Sequence, residues 1–185
     1  MEAYSVNNAL FILDRNYRKL ELFLAIIAGI IVIAMVMIQS SSIISRLLFS
    51  APFDITFDLI RLLFIASLFL GVSYVQSLKG HVGIEIVIEK FPKIVQKYTA
   101  IFGYLLAIFI IGLISWQTLL VALESFNTKD YTMGLAHIQF WPFKLSVSLG
   151  LFVLLGRLVI DLALNIFAYE DRNKNMVIFE EEEGL

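Results

Sequence analysis

The chain has 185 residues, 59 % of them hydrophobic, a formal net charge of −2 and no cysteine, with a mean hydropathy of +0.86. Chains this short leave much of their surface uncovered, and the apolar share exceeds that of soluble domains; a water-soluble globule is excluded, and the solvent must be lipid. The charge balance argues against a nucleic-acid partner. The lack of cysteine rules out disulfides and thiolate metal sites without fixing a compartment.

Residues 1–21 are polar and end in Arg15, Arg18 and Lys19. Within them, 7–18 carries Leu10, Leu13 and Tyr17 at helical spacing, which predicts a short amphipathic helix. The first apolar run, 22–45, contains no charge and reaches about 36 Å as a helix, enough to cross about 30 Å of hydrocarbon. A cleaved signal peptide is the alternative, but the run is too long for one and lacks a small-residue cleavage site. Arg46 follows, placed to lay its stem in apolar surroundings with its head in water. Pro52 disfavours helix at Ala51, and Asp54, Thr56 and Asp58 suit the start of a second helix, predicted over 59–78. A third helix is predicted over 98–123, with Gly103, Gly112 and Ser115 permitting close helix approach. Residues 124–144 read as a polar loop ending in an interfacial pair, Phe140 and Trp141. A fourth helix is predicted over 143–167, and 168–185 as a solvated, mobile acidic tail.

Between helices two and three, Ile84, Val87, Ile88 and Phe91 recur at helical spacing, so 82–93 is read as an interfacial amphipathic segment. Val82, Ile84, Ile86 and Ile88 also alternate, which leaves a strand open. The expected architecture is therefore an all-α integral membrane protein, a single domain of four transmembrane helices plus a short amphipathic interfacial helix after helix two. With the N-terminus inside, the inner segments hold nine Lys and Arg and the outer ones three. The positive-inside rule then places both termini in the cytoplasm.

The intramembrane charges need an explanation, since each costs about 2.5–3.5 kcal/mol at mid-helix on insertion scales. Arg61 lies near a helix end and can snorkel. Arg157 lies nearer a helix centre, and Asp161, one turn on, is a partner on the same face; such a pair should face protein rather than lipid. A proton relay is the sharper alternative, for which no second chain of acids is evident. Arg46, Asp58 and Arg61 fall at one end of helices one and two, where they are expected to tie those ends to each other or to a partner. His81 and His137 are the only histidines and fall in loops on opposite sides, which does not suit the facing axial ligands of a b-type haem. His81 reads as a corner residue four positions from Glu85. The sequence contains no Ser-His-Asp set, phosphate loop or clustered carboxylates.

One stretch carries a more specific signal. Asp58-Leu59-Ile60-Arg61-Leu62-Leu63-Phe64, then Phe69-Leu70-Gly71, then Lys79-Gly80-His81-Val82 with Glu85, preceded by Gln39 and Ser45-Arg46-Leu47-Leu48-Phe49, resembles the small membrane subunit of TRAP (tripartite ATP-independent periplasmic) transporters, the DctQ-like component. The sequence departs from the family pattern at Leu47, where a Tyr is usual, at Lys79, where a Gly is usual, and in the last helix, where Ser146-Val147-Ser148-Leu149-Gly150 holds no early proline although Trp141-Pro142 sits just before it. The resemblance implies a non-enzymatic subunit of a sodium-driven carrier in a bacterial inner membrane, taking up organic anions such as carboxylates or sugar acids. It implies a large membrane subunit that binds substrate and sodium, a periplasmic binding protein that delivers the substrate, and no cofactor in this chain. Gln39, Arg46, Asp58, Arg61, Gly71, Gly80, His81, Glu85, Arg157 and Asp161 become candidates for structural or partner contacts, with membrane lipids covering the rest. An independent four-helix redox or enzyme subunit is the alternative from another class; a self-assembling channel would need a polar stripe that no helix shows.

Overall fold

The computed structural model describes residues 2–49, 55–78, 93–131 and 137–183, with side chains over 13–48, 56–78, 95, 98–131 and 137–166. These residues form four helices: α1 (Glu2–Phe49), α2 (Ile55–Ser77), α3 (Lys93–Thr128) and α4 (Trp141–Glu183). Each contains a stretch long and apolar enough to cross a membrane: Leu13–Leu48, Thr56–Ser77, Tyr98–Thr128 and Trp141–Ile166. The expected all-α, four-helix architecture is what forms. The interfacial segment expected over 82–93 lies outside the described residues except at Lys93, where α3 begins.

The helix limits follow the breakers. All three prolines stand at helix starts: Pro52 before α2, Pro92 immediately before α3, and Pro142 as the second residue of α4, where a missing N–H costs nothing. Conversely, no Gly or Pro occurs between Met1 and Ala28. The separate helix expected over 7–18 and the membrane helix expected from 22 are therefore one element, α1. The same reasoning corrects the other end of the chain. No breaker separates Arg157 from Glu183, and α4 continues through residues expected to form a mobile tail. α3 likewise extends beyond 98–123 at both ends.

The polar loop expected over 124–144 is correspondingly shorter. α3 ends at Thr128, and Lys129 takes a left-handed conformation (φ 52°) that halts it. Tyr131 and Gln139 pair as an antiparallel bridge, and the Phe140 amide donates to the Asp130 carbonyl at 3.1 Å. The Phe126 and Trp141 rings meet edge to face at 5.3 Å, which clamps the end of α3 to the start of α4.

The helices pack in the order α1–α2–α4–α3, and α1 also touches α4. α2 and α4 are the inner pair: 28 % and 33 % of their apolar spans are buried, against 11 % in both α1 and α3. The inner crossing is set at Gly150. A Cβ there would run into the backbone carbonyl of Phe69, so α2 and α4 touch main chain to main chain, as small residues allow. Ala66 and Leu70 on α2 and Leu151 and Leu154 on α4, close to this contact along their helices, are buried. A Cβ added at Gly71 would sit 3.8 Å from the Ala28 Cβ on α1, an ordinary packing distance. Hydroxyls within the spans mostly return to their own helix, as Ser67 does to the Phe64 carbonyl at 2.9 Å and Ser115 to the Ile111 carbonyl at 2.7 Å. That is the usual way to satisfy a hydroxyl in lipid.

Candidate functional site: a polar junction of α1, α2 and α4

One group of polar side chains departs from that rule. Arg157 on α4 is 3 % exposed at its side chain, and its guanidinium reaches two helices. Nη1 donates to Asp14 Oδ1 at 2.7 Å and lies 3.7 Å from Glu21 Oε2; both acids belong to α1. Nη2 is 2.8 Å from Asp161 Oδ1, one turn along α4. The spacing Asp14, Glu21 sets both acids on the same face of α1 two turns apart, and Arg157 spans the gap.

α2 contributes two further groups. Ser73 does not bond back to its own helix; its hydroxyl donates to Glu21 Oε1 at 2.6 Å. Gln76 donates to Asp161 Oδ2 at 3.3 Å. Tyr17, between the two α1 acids, donates to the Val153 carbonyl at 2.8 Å. Its hydroxyl occupies the volume a Cβ at Gly156 would need, so glycine there is what lets the ring reach α4. Ser73 and Gln76 fall in the last two turns of α2, so the junction lies toward one end of the bundle.

The junction is tightly enclosed. Glu21 is fully buried and Ser73 is 1 % exposed. Two atoms at its centre, Glu21 Oε2 and Arg157 Nε, have no hydrogen-bond partner among the described residues. Three carboxylates converge on one guanidinium, with Arg18 at its margin 3.9 Å from Asp14. Among the described residues no cluster of carboxylates and imidazoles could hold a metal ion, because the acids face the guanidinium rather than one another. An Arg suits this place better than a Lys, since its planar fork engages separate acceptors at once.

The residues singled out from sequence fall into five groups. Arg157 and Asp161 pair, and both face protein. Gly71 packs against α1. Gln39 is half-buried on α1, and Arg46, Asp58 and Arg61 lie toward the opposite end of the α1–α2 hairpin from the junction. The expected tie among these last three is not made within the chain: no ion pair joins them, Arg46 and Arg61 are exposed, and Asp58 is half-buried. Snorkelling accounts for the difference, since a guanidinium near a helix end reaches water at less cost than it orders a partner. Gly80, His81 and Glu85 lie outside the described residues.

Asp14, Tyr17, Glu21, Ser73 and Gln76 were not anticipated. By sequence, Asp14 and Glu21 fall in the polar stretch ahead of helix one, and Tyr17 on the apolar side of the segment 7–18. Their spacing was a usable signal, since positions 14, 17, 21 and 28 lie on one helical face and Ala28 is buried against α2.

Four apolar helices held by close main-chain contact and an enclosed ionic junction define a multi-pass helical membrane protein. Residues 35–167 match the sequence model of the tripartite ATP-independent periplasmic transporters, DctQ component. The chain belongs to that family, and is thus a component of a tripartite transporter rather than an enzyme. No curated protein and no solved structure matches it. The match covers Arg157, Asp161, Ser73 and Gln76 but begins after Asp14, Tyr17 and Glu21; the α1 half of the junction lies outside the family's matched region.

Proposed function

We propose that this chain is the small membrane subunit of a sodium-driven, binding-protein-dependent carrier for organic anions such as carboxylates or sugar acids. It packs on the large membrane subunit and braces the static part of it. The large subunit binds substrate and sodium, and a periplasmic binding protein delivers the substrate. Both termini are cytoplasmic in a bacterial inner membrane, a placement supported by the excess of Lys and Arg in the segments that then face inward.

The observation that carries this reading is how the polar groups are spent. A carrier holds polar side chains or broken helices near the midplane, open to substrate. Here the four spans are unbroken, and the junction's polar groups are turned on one another across three helices. The outer faces of α1 and α3 present large apolar side chains, among them Ile33 at 65 % and Phe109 at 65 % exposure. That is a surface for lipid and for a larger membrane partner.

Reconstitution in liposomes with a sodium gradient and the cognate binding protein tests the proposal. Uptake is expected only when both membrane subunits are present. Gradient-driven uptake by this chain without the large subunit overturns it, and full-rate uptake by the large subunit alone removes the bracing role.

A further inference from the structure

The first membrane turns of α1 separate charge by sign. Asp14 and Glu21 point into the junction, whereas Arg15 and Lys19, one turn apart on the opposite side, are exposed. Neither makes an ion pair among the described residues; Arg18 sits between the two faces and leans to Asp14 at 3.9 Å. Below Arg15 and Lys19, on the same helical line, come Leu22, Ile26, Ile30 and Ile33, which are 44, 54, 60 and 65 % exposed. Two cations without an ion-pair partner among the described residues thus crown a continuous apolar stripe. From Lys19 to Ile30 the stripe runs about 16 Å, close to the thickness of one leaflet's hydrocarbon.

We propose that this face of α1 is a binding site for an anionic phospholipid, with the headgroup phosphate on Arg15 and Lys19 and an acyl chain along Leu22–Ile30. Charge complementarity selects the headgroup. The stripe selects lipid over a helix: close helix docking in membranes favours small residues, and these four are all large and aliphatic. The inward acids sharpen the site. Asp14 and Glu21 face Arg157 on the other side of the helix and form no ion pair with the outward cations, each of which adds attraction for an anionic surface, on the order of fivefold in occupancy. The site belongs to this chain alone and does not depend on the transporter proposal.

The test uses the full chain, which contains no cysteine, carrying Leu22→Cys labelled with an environment-insensitive fluorophore. It is reconstituted in phosphatidylcholine bilayers doped with an equal fraction of either doxyl-phosphatidylglycerol or doxyl-phosphatidylcholine. The expected result is several-fold stronger quenching by the phosphatidylglycerol probe, reduced to parity by high salt and by the double substitution Arg15→Gln with Lys19→Gln, and retained in Lys19→Arg. Unchanged quenching by the phosphatidylcholine probe reports that the double variant is folded; should it misfold, the salt response of the otherwise unaltered chain decides. Equal quenching by the two probes at low salt overturns the proposal, as does a preference that survives both salt and the double substitution. Shielding of the label from both probes in the complex with the large subunit also overturns it, because the face is then covered by protein.

Discussion

Arg157 and Lys144 lie toward opposite ends of the membrane span of α4, and each pairs with a carboxylate from another element. Lys144 meets Asp130 at 3.6 Å with both side chains substantially exposed, 32 % and 45 %. Arg157 meets Asp14 at 2.7 Å with exposures of 3 % and 18 %. The same kind of contact has different consequences in the two places. An exposed pair exchanges hydration for attraction almost evenly. A buried one leaves an uncompensated charge when either partner is removed. The middle of α4 is therefore bolted to α1 and α2, while its first turn is merely steadied by a loop.

The largest effect should come from the bolted middle. Arg157→Ala is expected to cost about 3–5 kcal/mol, seen as loss of a monodisperse folded species in detergent and of assembly with the large subunit. A variant that folds and assembles like the parent would place Arg157 in water after all.

Gly150 lies between the two pairs on α4. Gly150→Val drives side-chain atoms into the Phe69 backbone, which no rotamer change can relieve. About 1–3 kcal/mol is expected, read as a lower unfolding midpoint. An unchanged midpoint would mean that α2 and α4 slide freely past each other.

Tyr17→Phe removes only the hydrogen bond to Val153 and keeps the ring. Hydrogen bonds between membrane helices average about 0.6 kcal/mol, so the midpoint should fall slightly and assembly should persist. A loss as large as that of Arg157→Ala would make the tyrosine, rather than the ion pairs, the centre of the junction.

The smallest effect belongs to Asp130. The Thr128 hydroxyl donates to it at 2.8 Å, and with help from Lys144 this holds its carboxyl below the usual aspartate value of 3.8. A carboxylate whose folded value is depressed stabilises the fold above its unfolded value and loses that contribution as pH falls through the folded one. Nothing should change at neutral pH. In a Trp116→Phe background, Trp141 fluorescence should report loosening of the α3–α4 turn only below about pH 4, and Asp130→Asn should abolish that acid transition. A transition between pH 5 and 7 would point to another group.

The contrast between the two pairs also separates what was legible in the sequence from what was not. The four helices were legible because long charge-free runs have only one home. Arg157 with Asp161 was legible because both lie on one helix at a spacing that puts them on one face. The rest of the junction depends on contacts between residues 52 to 143 positions apart, which no local pattern encodes. Asp14 and Glu21 were further hidden by the rule that found the helices, since a search for uncharged stretches ends α1 where its charges begin. Their burial depends on a partner, Arg157, that lies 143 residues away from Asp14 on α4. Within the chain, Arg46, Asp58 and Arg61 form no tie for the converse reason: nearness along a hairpin does not make a pair where water competes.

The junction also imposes an order in time. Asp14 emerges from the ribosome 143 residues ahead of Arg157, about 7–30 s at ordinary synthesis rates. In the later part of that interval α1 and α2 are complete, but Asp14 and Glu21 lack the guanidinium that compensates them, and α3, once made, lacks α4, the helix it packs against. The last helix therefore closes the protein at both sides at once, pinning α1 through a charge and capturing α3 through its apolar face. A chain stalled before Arg157 keeps unpaired acids at the membrane boundary, a mark by which unfinished copies differ from finished ones.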